Sequence, residues 1–246
     1  MAPSNWPPLA HLPLTLKALF TGYLLVIGIG LLVAGAQIML THGMADGKPG
    51  LSVDDIVYSY YGDRTGSRLE SKLKGSMQDK APPNKNAEMI KWVREGADRA
   101  DWETHIQPIT AQYCVSCHAS IDGLPNVGNF EEIKPLTEID TGPTWSSLTR
   151  VSHIHLFGIA FIFFMVGLIF SFARGFHPWV QAGLIFTPFA FLIIDISAWW
   201  LTKFHPNFAW MVLIGGFGYA LASTVMIFSS LFQMWRLPWF ERRSAA

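Results

Sequence analysis

The chain has very little cysteine: two in 246 residues, at positions 114 and 117. Two thiols three positions apart cannot cross-link a small secreted scaffold, so a disulfide framework is excluded. Net charge is lacking too, since 18 basic side chains balance 18 acidic ones. No basic run is long enough to track a phosphate backbone, which excludes nucleic acid as a partner. What the chain has instead is apolar residues, half of its composition, gathered into four long stretches.

The zero net charge conceals a partition. A polar block over 43–150 holds 16 Asp and Glu against 12 Lys and Arg, net −4, which leaves +4 for the remainder. The chain therefore reads as three parts: 1–42, an N-terminal segment with a first apolar helix; 43–150, a polar domain; and 151–246, three further apolar helices with a tail.

The apolar stretches cover 16–41, 154–173, 179–201 and 208–235. At 1.5 Å per residue, about 20 residues cross a ~30 Å hydrocarbon core, so each is long enough to span a membrane. Gly28, Gly30 and Gly35 in the first, and Gly215, Gly216 and Gly218 in the last, suit close helix packing in lipid. Trp179, Trp199, Trp200, Trp210 and Trp235 near the ends suit interfacial belts. Ala34-Gly35-Ala36 would serve as a signal-peptide cleavage site, but the n-region offers Lys17 as its only positive charge, so a retained anchor is expected.

Four spans put both ends of the chain on one side. That side carries Lys17, Arg174, Arg236, Arg242 and Arg243, and the opposite short turn only Lys203. The positive-inside rule then predicts cytoplasmic termini and a periplasmic polar block, in a bacterial inner membrane. Membrane lipids are one expected partner.

Cys114-Val115-Ser116-Cys117-His118 is the CxxCH pattern of covalent haem c attachment. The spacing puts two sulfurs on one helical turn for the porphyrin vinyls, with the adjacent imidazole directed at iron. A structural zinc site would need a fourth ligand at fixed spacing, which the sequence does not supply. After His118 the next methionine is Met165, inside an apolar stretch. Upstream, however, Gly75-Ser76-Met77 is followed by Pro82-Pro83 and then by Ile90-Lys91-Trp92-Val93-Arg94-Glu95-Gly96-Ala97.

That upstream run resembles the second half of a small class I cytochrome c domain. The run from Trp102 to His118, with Ile106-Gln107-Pro108-Ile109, resembles its first half. The halves stand in swapped order, as in a circular permutation, and the resemblance covers roughly residues 51–125. It implies Met77 as the sixth iron ligand beside His118, and a helix around Trp92 packed on the helix entering the motif. Met89, His105 or an open position are the rivals for Met77. His105 lies 13 residues from His118, about 20 Å along a shared helix, too far for the same iron. Arg68, Lys72, Lys74, Lys80 and Lys85 surround Met77, either as a collar that steers an acidic redox partner to the haem edge or as ordinary solvated charges.

The expected fold is all-α: four transmembrane helices, with a small α-helical cytochrome c-like domain inserted between the first and second. Several ionisable groups gather near the outer ends of the spans: His42, His153, His155, Asp195 and His205. A carboxylate inside a span costs about 2.5–3.5 kcal/mol unless it faces a partner or water, and the position of Asp195 allows a histidine partner. The group reads as interfacial hydrogen bonding, as a quinol site, or as a b-type haem or other metal held between helices, for example by His42 and His155. His153 and His155 are about 200° apart on a helix, so at most one faces any given site. The resulting expectation is single-electron transfer within a larger membrane redox complex. Quinol oxidation and a structural subunit role are the alternatives.

Overall fold

A computed structural model describes residues 7–43, 45–46, 48, 50–121 and 123–235. In chain order its helices are α1 (Leu14–Thr41), α2 (Val53–Tyr60), α3 (Arg68–Lys74), α4 (Pro83–Arg94), α5 (Arg99–Asp101), α6 (Gln107–Tyr113), α7 (Val115–His118), α8 (Phe130–Ile133), α9 (Trp145–Ser171), α10 (Pro178–Phe204) and α11 (Ala209–Trp235). A π-turn over Trp102–Ile106 joins α5 to α6. Among the described residues there is no strand, only an isolated antiparallel bridge between Ser67 and Ile139. The chain divides into two compact units, 1–36 with 148–198 and 210–246, and 37–147 with 199–209.

The first unit is built from α1, α9, α10 and α11, each long and apolar enough to cross a membrane. The protein is thus an all-α membrane protein. Helix α9 starts at Trp145, nine residues before the expected 154, because backbone bonding continues past the apolar stretch and Thr144 Oγ1 accepts from Ser147 N at 3.2 Å. The core joins Leu24 of α1 to Val166, Ile169 and Phe170 of α9 and to Met226, Ile227 and Met234 of α11. Phenylalanines such as Phe157, Phe186 and Phe228 point outward, as side chains against lipid should. Helices α10 and α11 cross at glycine. A Cβ on Gly215 would lie 2.7 Å from Asp195 Cβ, and one on Gly218 2.5 Å from the Phe191 ring.

The second unit packs Leu69, Leu73, Met89, Trp92, Trp102, Ile106, Ile109, Val127 and Ile133 into one core. The Trp92 and Trp102 rings are 5.5 Å apart, and Trp92 Nε1 donates to Asp98 O at 2.9 Å. Helix α4 therefore packs against the helix leading to Cys114, as the resemblance implies. The core also takes Val127, Phe130 and Leu136, past residue 125 where the resemblance ends. Lys134 Nζ fastens that extension by donating to Gly96 O and Ala97 O at 3.0 and 2.9 Å.

Helix α2 begins with a capping box, in which Ser52 and Asp55 satisfy each other's backbone donors. Its end meets the loop before α9 so closely that only glycine fits. Gly62 and Gly142 have φ of +85° and +71°, and a Cβ on either would approach backbone atoms to within 2.4 Å. Lys203, in the last turn of α10, is 7% exposed. Its Nζ donates to Thr141 O and Pro143 O at 2.7 and 2.6 Å and sits 5.0 Å over the Trp145 ring.

Candidate functional site

Helix α6 stops at Tyr113 because Cys114 adopts φ −119° and breaks the run. A single turn, α7, follows, closed by Cys117 N and His118 N on Cys114 O at 3.2 and 3.1 Å. Cys114 and Cys117 are free thiols on that turn, the first half-buried and the second exposed. Burial pushes the Cys114 thiol above its ordinary pKa, and a negative charge on Cys117 would push it the same way.

The chain then turns back through Gly123 at φ +88°, which brings Pro125 O to 2.8 Å from His118 Nδ1. A carbonyl only accepts, so Nδ1 carries the proton and Nε2 keeps its lone pair, the form a metal needs.

Met77 lies in the loop between α3 and α4, half-buried, and packs on the same core as Tyr113, Cys114 and Val115. Its loop is pinned on both sides, by Met77 N to Lys72 O at 2.8 Å and Lys80 N to Met77 O at 3.1 Å. Residues 78–83 and Tyr113 line a cleft of about 390 Å³, so it opens between the methionine loop and the residue preceding the first cysteine.

Of the rivals for Met77, Met89 is 1% exposed in the core. His105 is exposed in the π-turn, with its Nδ1 2.7 Å from Asp101 Oδ1. Two thiols and an imidazole thus stand on one turn, and the Met77 thioether packs on the core that Cys114 also joins. Among the described residues no group of three His, Cys, Asp or Glu side chains is arranged for an ion alone.

The five cations near Met77 are not equivalent. Arg68 lies 3.8 Å from Asp140, Lys74 2.6 Å from Glu70 and Lys85 2.7 Å from Glu88. Lys72 and Lys80 extend into solvent.

His42, His153, His155, Asp195 and His205 divide between the two units. In the second unit, His42 Nδ1 lies 2.8 Å from Ser59 Oγ, and its ring stacks on Tyr60, which stacks on Trp199. Burial first, and Lys72 second, push the His42 pKa down, with Asp55 opposing. His205 caps the short turn before α11 by accepting from Asn207 N at 3.3 Å. In the first unit, His155 Nδ1 bonds back to Val151 O at 2.9 Å, and His153 is exposed beside Phe157. Asp195 is 5% exposed and is hydrogen-bonded by the Tyr219 hydroxyl.

Sequence reasoning missed Tyr219, Pro125 and Asn86. A tyrosine in an apolar stretch was a visible signal for the first, and the Gly123-Leu124-Pro125 turn after the motif for the second. Asn86 left no signal, because its role depends on a loop folding back over α4.

Four long apolar helices and an all-α unit between the first two define an α-helical integral membrane protein. The chain belongs to the Aq_1264_TM family, a transmembrane helical domain, whose model matches residues 107–243 and so takes in the CxxCH turn together with α9, α10 and α11. No curated protein and no solved structure matches the chain.

Proposed function

We propose that this chain is a membrane-anchored c-type cytochrome that passes single electrons at the periplasmic face of a bacterial inner membrane, as a subunit of a larger respiratory or photosynthetic complex. The observation that carries the reading is the CxxCH turn itself: Cys114 and Cys117 free on one turn, with His118 Nδ1 committed to Pro125 O. Cys114 and Cys117 would hold the porphyrin through their sulfurs, and His118 Nε2 and the Met77 thioether would ligate the iron. When bound, the haem supplies a one-electron couple, and His/Met ligation raises its potential.

The protein's own residues hold that couple in place. Pro125 O fixes the imidazole, the core around Trp92 and Trp102 keeps water from the thioether side, and the Lys72 and Met77 bond holds the ligand loop. Lys72 and Lys80 are the cations left to meet an acidic partner at the haem edge.

Pyridine haemochrome analysis of the purified protein tests the reading. One c-type haem per chain is expected, lost in Cys114→Ala/Cys117→Ala. The ferric protein should show the near-infrared methionine–iron band, and Met77→Ala should abolish it. A chain that carries no covalent haem when made with the attachment machinery would refute the function.

A further inference from the structure

Asn86 stands in the first full turn of α4, 7% exposed, opposite the loop that carries Met77. Its Nδ2 donates to Gln78 O, the carbonyl one residue beyond Met77, at 2.8 Å. Pro82 and Pro83 bring no N–H to this loop. Met77 is therefore held from two directions, by Lys72 O on its own amide and by the Asn86 side chain just downstream.

The other half of the same amide is unmatched among the described residues: Asn86 Oδ1 is buried and meets no hydrogen-bond donor there. A buried acceptor without a donor lowers stability, and an apolar side chain of similar shape would avoid that loss. Residues that weaken a fold locally are expected where the fold serves a site. Here the weakened point touches the ligand loop.

We propose that Asn86 is a positioning residue for the axial methionine: its amide N–H latches the Met77 loop against α4 and so sets how readily the thioether leaves iron. The inference rests on the haem reading above and goes beyond it, since neither the CxxCH motif nor the methionine requires an amide at position 86. Asn86 acts on the ligand loop through Gln78 O.

The test compares the holoprotein with its Asn86→Leu and Asn86→Gln variants by ferric cyanide titration, near-infrared spectrum against pH, and thermal unfolding. Asn86→Leu should raise cyanide affinity about tenfold, the change that losing one hydrogen bond of ordinary strength produces. It should also move loss of the methionine–iron band to lower pH. Its melting temperature should fall only slightly, because the lost Gln78 bond is partly offset by removal of the unmatched Oδ1; the cyanide and band shifts, which a merely structural residue would not produce, carry the test. Asn86→Gln, which keeps an amide donor, should recover part of the wild-type cyanide affinity. Unchanged cyanide affinity and band in Asn86→Leu would overturn the latch while leaving methionine ligation intact. A wild-type spectrum unaltered by Met77→Ala would instead overturn the ligand reading, and the latch with it.

Discussion

Arg94, in the last turn of α4, hydrogen-bonds the carboxylate of Glu70, which is buried in α3. Lys74 holds the same carboxylate at 2.6 Å, so the two helices that flank the Met77 loop are tied through one acid. The Arg94 bond, and after it the Lys74 bond, keep the Glu70 carboxyl below its ordinary pKa, against the opposing effect of burial.

A depressed carboxylate adds stability that is fully present above the ordinary glutamate range and is lost as pH falls through the depressed value. The second unit should therefore unfold more easily with acid, and Glu70→Gln should flatten that dependence. At neutral pH the variant should lose roughly 1.5 kcal/mol, since both cations of the pair are solvent-exposed and screened. Circular dichroism melts from about pH 7 to about pH 3 check the slope. A Glu70→Gln protein with the wild-type acid slope would show that Glu70 is not the titrating group.

The two thiols should react at different rates in chain made without haem. Cys117 is exposed, whereas Cys114 is half-buried with its pKa raised by burial. Maleimide should label Cys117 first, and the lag at Cys114 should shrink as pH rises and its thiolate forms. Peptide mapping after timed quenching reads the order directly. Equal rates at neutral pH would contradict the half-buried position of Cys114.

The crossing of α10 and α11 should tolerate no side chain at Gly215. A Cβ there would sit 2.7 Å from Asp195 Cβ and 2.9 Å from Asp195 Cα. Both neighbours belong to a helix backbone or its first side-chain atom, so they cannot swing away, and the helices must separate. Gly215→Ala should destabilise the membrane helices by about 1–3 kcal/mol, read by unfolding in detergent. Gly216→Ala is the control, because the nearest atom to its Cβ would be the Tyr219 hydroxyl at 3.7 Å.

The four spans were legible because hydrophobic length is a local property, and all four stretches became helices. Their ends were less so. Polar turns such as Thr144 to Arg150 extend α9 by backbone bonding, which hydropathy does not register. The CxxCH turn was legible for the same reason as the spans: its geometry lies within five residues. Lys203 was misleading, since a lysine in a short turn reads as a loop charge, and only the fold shows it buried on two carbonyls.

The amino-acid sequence by itself determined the all-α class, the number of spans and the turn carrying Cys114, Cys117 and His118, because each depends on neighbours along the chain. Only the tertiary structure decided the partners that are distant along it. Tyr219 meets Asp195 24 residues away, and Asn86 meets Gln78 through a turn set by two prolines. Pro125 meets His118 because Gly123 reverses the loop. Such pairings follow from how helices pack and loops return, and a motif read in one dimension carries no record of either.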